Sequence, residues 1–249
     1  MSKRLDGKVA IVTGGSRNIG ARYAQHLASH GARIVVADVL DGGDVVRVIQ
    51  EAGGEAISLK VDVSREDDTL EMAEKATANF GAIDILVNNA AIFLSIHRRP
   101  FYELSAEEWD QVSAVNIKGP FLCSKAVFPQ MKDQNNGKII NISSTTALSG
   151  TPMFLHYVAS KAALIGMTRS MARELGSNGI CVNAIAPGLV EHEGQTVPKE
   201  FTELQLRLRS LKRLQTPEDL LGALTYLASS DSDFVTGQTL VVDGGSTMY

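Results

Sequence analysis

The sequence predicts a doubly wound α/β fold, a seven-stranded parallel sheet with helices on both faces, in a single domain over residues 1–249. Three observations carry that prediction. Seven short, apolar, β-branched runs recur along the chain, separated by segments of helical length. The runs are nearly continuous rather than alternating, as strands buried on both faces are. With 249 residues, 44% of them apolar and 21% charged, the chain is long enough for one large core.

Residues 8–13 (Lys-Val-Ala-Ile-Val-Thr) read as the first strand, and 19–30 as an amphipathic helix with apolar positions at helical spacing. Further strands are expected at 33–38, 56–61, 84–88, 138–143, 180–187 and 239–243. Gly42-Gly43 and Gly53-Gly54 fall between periodic segments, where turns belong. The stretch 189–216, after the sixth strand, carries Phe201, Leu204, Leu208 and Leu211 at helical spacing amid many charges. It reads as a substrate lid, an ordinary surface helix being the alternative.

Charge and composition exclude several roles. Twenty-four Lys and Arg against 28 Asp and Glu give a net charge of -4, without the basic excess that a nucleic acid partner requires. The chain shows no signal-peptide core and no apolar run of about 18 residues, so a cytoplasmic protein with no membrane association is expected. Cys123 and Cys181 lie among apolar residues and read as buried free thiols. His26, His30, His97, His156 and His192 do not pair with Cys or each other in a usual zinc pattern, so no metal site is expected.

Chemistry concentrates at two places. Between the first strand and its helix lies Thr13-Gly14-Gly15-Ser16-Arg17-Asn18-Ile19-Gly20, a glycine-rich turn whose backbone can approach a pyrophosphate at a helix N-terminus. Asp38 follows at the end of the second strand, where a carboxylate accepts hydrogen bonds from ribose hydroxyls and repels a 2′-phosphate. NAD is therefore the expected cofactor. Arg17 pulls toward NADP, the less favoured alternative, because its guanidinium can pair with that phosphate. The second place is Tyr157-Val158-Ala159-Ser160-Lys161, with a phenol and an ammonium on one helical face after the fifth strand. Ser144 stands at that strand's C-terminal end, where parallel sheets collect ligands.

With these motifs, and with Asp62-Val63, Asn88-Asn89-Ala90, Asn116, Pro187-Gly188, Thr236-Gly237-Gln238 and Val242-Asp243-Gly244-Gly245, the sequence closely resembles the short-chain dehydrogenase/reductase family over its whole length. The resemblance implies a Rossmann-type fold and a homotetramer. It implies Tyr157 as general acid/base, Lys161 as its activator and ribose contact, Ser144 as substrate-oxygen donor, and Asn116 as support for a proton-relay water. It also implies that Gly14, Ser16, Arg17, Asn18, Ile19, Gly20, Asp38, Asp62, Val63, Asn89, Ala90, Tyr157, Lys161, Pro187, Gly188 and Val190 contact the cofactor. The physics agrees: a phenol with a reference pKa near 10 becomes a usable base when a cationic lysine and a positive nicotinamide favour its ionised form.

Three departures from the family pattern stand out. Asn18 replaces the middle glycine of the turn, at a position where Asn tolerates positive φ better than other side chains. Ala91 closes the motif that usually ends in glycine, and Glu191-His192-Glu193 follows where a threonine is usual. The loop 92–100 brings His97, Arg98 and Arg99, which read either as an attraction for an anionic substrate or as a solvated charge cluster.

Leu94, Ile96, Thr146, Phe154 and His192 are the candidate substrate contacts, and they fit an apolar, cyclic or aromatic secondary alcohol or ketone. Two other readings are an NADP-dependent carbonyl or 3-oxoacyl-thioester reductase and, from a different class, a non-catalytic dinucleotide-binding regulator. Intact Tyr157, Lys161 and Ser144 weigh against the last.

Overall fold

The expected strands form one parallel sheet in the computed structural model, which describes residues 4–191 and 199–248. β1 (Val9–Thr13), β2 (Arg33–Asp38), β3 (Ala56–Lys60), β4 (Ile85–Asn88), β5 (Gly137–Ile142), β6 (Ile180–Pro187) and β7 (Thr239–Val242) lie in the order β3-β2-β1-β4-β5-β6-β7. Two strands end where the sequence reading put them, and the other five differ by a residue at one or both ends.

The continuous apolar runs are what two-sided burial demands. In β1, Ala10 and Val12 face a core built with Tyr23 and Leu27 of α1 (Asn18–Ser29) and with Leu220 and Leu224 of a late helix. Ile11 faces the opposite core with Leu86, Met72, Val127 and Ile139. The first layer holds α1, α2 (Gly43–Glu51) and that late helix; the second holds α3 (Glu66–Phe80), α5 (Gly119–Asp133) and a long helix after β5, against which α4 (Ala106–Ser113) packs. Local signals set several ends. α3 stops at Gly81 in the left-handed region at φ 77°, and Ser105 and Glu108 form a reciprocal cap on α4. No helix among the described residues is long and apolar enough to cross a membrane.

After β5 the chain makes the one-turn α6 (Thr146–Ser149) before α7 (Leu155–Leu175), so the Tyr157/Lys161 helix does not follow the strand directly. Beyond β6 come α8 (Lys199–Leu208) and α9 (Glu218–Ala228), the late helix of the first layer. Leu204, Leu208 and Leu211 are exposed, as an excursion from the sheet would leave them, but Leu211 lies past the end of α8 and not on its stripe. Both thiols are free; Cys123 is buried, with a pKa that burial pushes up to about 12, whereas Cys181 is only half-buried, against expectation.

The base of the 189–216 excursion is stitched shut. Val190 and Gln215 pair in an isolated parallel bridge, and Glu191 donates its N–H to the Gln215 carbonyl at 2.8 Å. Between them Arg209, 1% exposed, donates to the carbonyls of Leu189 at 2.6 Å and Arg213 at 3.3 Å. A buried guanidinium so used is a clasp, and its loss leaves carbonyl oxygens unpaired. Arg209→Met is expected to cost about 2–4 kcal/mol in urea unfolding. An unchanged midpoint would show that solvent replaces the clasp without penalty.

Candidate active site

In a sheet of this order the chain reverses direction between β1 and β4, which opens a crevice at the strands' C-terminal ends. The glycine turn fills one side of it. Gly14 adopts φ 62° and Asn18 φ 51°, so Asn18 occupies the positive-φ conformation anticipated for it. Arg17 is extended ahead of α1, and no side chain caps the amides that follow. No acidic residue lies in that first turn either, which leaves its partial positive charge for an anion. A Cβ on Gly14 would lie 2.8 Å from Cα of Ala90, and one on Gly20 would run into the Gly14 carbonyl. Such a cradle, which any side chain would close, fits the pyrophosphate of a dinucleotide.

The neighbouring polar groups are bound among themselves. Asn89 donates its amide to the carbonyls of Thr13 and Gly14, both at 3.0 Å, while Thr13 Oγ1 accepts from the N–H groups of Asn89 (3.0 Å) and Ala90 (3.1 Å). Asn89 therefore holds the turn in addition to lining the cleft. Asp38, at the end of β2, accepts from Ser16 N at 3.0 Å, Ser16 Oγ at 2.6 Å and Leu40 N at 3.0 Å. Ser16 is thus turned to Asp38 and does not line the cleft. Asp62 and Val63 do line it, with Asp62 accepting from Ser64 N and Oγ. Arg17 is exposed on the rim.

At the centre, α7 is fastened to the end of β5 by two hydrogen bonds. Lys161 Nζ donates to the Ile142 carbonyl at 2.7 Å, and Ser143 Oγ donates to the Lys161 carbonyl at 2.7 Å. Burial lowers the Lys161 pKa to about 8, so the ammonium persists at neutral pH at a desolvation cost. Its Nζ lies 5.6 Å from the Tyr157 ring centroid. Burial pushes the Tyr157 phenol up, and the neighbouring Ser144 hydroxyl pulls it part of the way down. Ser144 Oγ in turn accepts from Thr146 N (3.2 Å) and Thr146 Oγ1 (3.0 Å). Three groups able to hold an oxygen and move a proton therefore meet at one point.

Asn116 does not reach that point with its side chain. It sits in a π-helical turn, Ala114–Lys118, accepts from Ile92 N at 2.8 Å, and donates to Ile92 O and Ser160 Oγ, each at 3.1 Å. With its amide fully used, it braces the loop after β4 against α7, and it does not line the cleft. Such π turns free a backbone carbonyl that an α-helix would occupy.

The cleft has a volume of about 900 Å³ and runs from the glycine turn to the loop after β4. Leu94, Thr146, Phe154, Pro187, Gly188 and Val190 line it, with Gly14, Asn18, Ile19, Gly20 and Ala90. Ile96 does not line it and is half-buried. His192 lies outside the described residues. Phe93, which the sequence sets beside the site, Arg98, read as one possible attraction for an anionic substrate, and Leu208 of the 189–216 stretch also line the cleft, although none was among the candidate contacts. Phe93 packs on Tyr157 with centroids 5.2 Å apart, and the Phe154 ring stacks on Tyr157 at 4.6 Å. An aromatic and a cation in the loop after β4 were the available signals, although spacing alone does not say which side chains turn inward. His26 and His30, one helical turn apart, do meet at 4.7 Å, a pairing the sequence reading missed; no group of three or more possible metal ligands occurs among the described residues.

The family model for enoyl-(acyl carrier protein) reductase matches residues 14–247. The chain is 38% identical to a 3-oxoacyl-[acyl-carrier-protein] reductase FabG of Staphylococcus epidermidis, with 97% of this chain and 99% of the relative covered. It is 36% identical to glucose 1-dehydrogenase 2 of Bacillus subtilis, covering 100% and 98%. The structure of a Serratia marcescens short-chain dehydrogenase/reductase double mutant superposes with a TM-score of 0.91 at 33% identity, over 98% of this chain and 100% of that one.

Gly20→Ala tests the cradle, because the added methyl must displace the Gly14 carbonyl. NADH binding, followed by fluorescence, is expected to weaken by about tenfold or more, with a smaller loss of thermal stability. Unchanged affinity would mean that the turn does not bear on the pyrophosphate.

Proposed function

The chain belongs to the short-chain dehydrogenase/reductase family of oxidoreductases, and we propose that it transfers a hydride between NAD and a cyclic or aromatic secondary alcohol or ketone, with Tyr157 as general acid/base. One observation carries this reading: Tyr157, Ser144 and Lys161 converge in the same cleft that holds the glycine cradle and Asp38. A bound nicotinamide supplies the hydride-accepting or hydride-donating carbon. Gly14, Asn18, Ile19 and Gly20 would hold its pyrophosphate, Asp38 its ribose, and Pro187, Gly188 and Val190 its carboxamide end.

This chain's own residues do the proton work. Ser144 Oγ holds the substrate oxygen in both its alcohol and carbonyl forms. In reduction, Tyr157 Oη gives its proton to that oxygen, and burial already favours the protonated phenol the step requires. In oxidation, Tyr157 Oη takes the hydroxyl proton, a step favoured by the nearby Lys161 ammonium. Asn116 supports the relay by holding the π turn, with a backbone carbonyl and not its amide available to a water. Residues 189–216 act as the lid, which the exposed Leu208 on the cleft wall supports.

Exposed Trp109, Phe121 and Leu155 on α4, α5 and α7 support association into a homotetramer, and we assign the enzyme to the cytoplasm. A second reading, an NADP-dependent carbonyl or 3-oxoacyl-thioester reductase, is favoured by Arg17 on the rim and by the name of the Staphylococcus relative. NAD remains the preferred cofactor because the Asp38 carboxylate is fixed by three hydrogen bonds where a 2′-phosphate would meet it.

Tyr157→Phe is expected to lower kcat by about a hundredfold or more while NADH binding stays measurable. Substantial residual kcat would sink the assignment. Across a panel of cyclic, aromatic, sugar and hydroxy-acid alcohols, kcat/KM is expected to be higher with NAD than NADP, and Asp38→Ala to narrow the gap. A wild-type enzyme faster with NADP would transfer the preference to Arg17.

A further inference from the structure

The charges lining the cleft are unevenly distributed. Among the described residues, Arg17, Asp38 and Asp62 line the end built by the glycine turn, β2 and β3, and Lys161 stands at the centre. Among the described residues, the wall formed by the loop after β4 and the α6–α7 approach carries Arg98 and no carboxylate. Ser95, Thr145, Thr146, Ser149 and Thr151 add hydroxyls to it. A substrate with a negative group would meet complementary charge there.

Of the three basic residues in this loop, the structure selects one. Arg99 is turned to Glu108, with Nη2 3.2 Å from Oε1, and its N–H donates to the Met153 carbonyl at 3.1 Å. His97 is exposed and does not line the cleft. Arg98 lines it, with its guanidinium carbon 4.9 Å from the centroid of the buried Phe154 ring. That same ring stacks on Tyr157 at an interplanar angle of 24°. The cation is therefore layered on the aromatic that lies against the proposed acid/base, and the Arg99 backbone anchor fixes its loop. Stacking pre-orients a guanidinium for an oxyanion.

We propose that Arg98 is a specificity-determining residue, and that the substrate carries an anionic group, carboxylate or phosphate, beside its reacting carbon and away from the cofactor. This rests on the reading of the cleft as an oxidoreductase site and names its substrate class more narrowly.

The test uses benzoate, phenyl phosphate and neutral benzamide, titrated into the whole protein with and without NADH, in wild type, Arg98→Gln and Arg98→Lys. One of the two anions is expected to bind about tenfold or more tighter than benzamide, and whether it is benzoate or phenyl phosphate identifies the group. Arg98→Gln should abolish the preference and Arg98→Lys keep part of it, with NADH affinity unchanged in both. In turnover, 3-oxocyclohexanecarboxylate should outperform its carboxamide through KM, with kcat little altered by Arg98→Gln. Equal binding of all three probes, or a preference indifferent to Arg98→Gln, overturns the proposal. Ketone turnover without regard to charge leaves the oxidoreductase standing and removes the anion site. An Arg98-dependent anion preference in a protein that turns over no ketone does the reverse.

Discussion

The arrangement of the cleft hangs on one close approach, that of the turn after β1 to the end of β4. Strands that diverge at a switch point leave two loops free to drift apart, and here the Asn89 amide ties them together through the carbonyls of Thr13 and Gly14. Thr13 Oγ1 returns the bond by accepting from Asn89 and Ala90. The spacing is so tight that Gly14 and Gly20 have no room for a methyl group. The glycines thus allow the two halves of the sheet to be joined beside the open N-terminus of α1.

The second half of the cleft is built by analogous means at greater cost. Burying Lys161 lowers its pKa to about 8, and the Ile142 carbonyl compensates only in part. The fold accepts this because α7 is held from below by a polar ladder through the sheet. Asn88 donates to Asn141 Oδ1 at 2.9 Å, and Asn141 donates to Thr168 Oγ1 on α7 at 2.9 Å. Such paired amides set the register of helix on sheet more sharply than apolar contact does. Tyr157, Ser144 and Lys161 inherit their relative positions from that register. The stacked Phe154 ring and the tilted Phe93 ring then pack against the buried Tyr157.

The two loops that border the substrate side are held differently. The loop after β4 is pinned at Ile92 by Asn116 and at Arg99 by Met153, which leaves Arg98 directed along the wall. The excursion after β6 is closed at its base by Arg209 and the Val190–Gln215 bridge, and Leu204 and Leu208 on α8 are exposed.

By itself the sequence determined the seven strands, the glycine turn, Asp38 at the end of β2, Ser144 at the end of β5 and the Tyr157/Lys161 pair. All of these are local properties, written in periodicity or in spacings of a few residues. Tertiary structure alone decided what the polar side chains do. Asn89 and Thr13 lie 76 positions apart, and no local pattern says that their hydrogen bonds close the turn. Ser16 reads as a cofactor contact until Asp38, 22 positions away, captures it, and Asn116 reads as part of the reacting centre until Ile92, 24 positions away, takes its amide. Ile96 and Arg98 sit two residues apart in one irregular loop, yet one leaves the cleft and the other lines it. Outside helices and strands no period fixes side-chain direction, so only the contacts of the folded chain can set it.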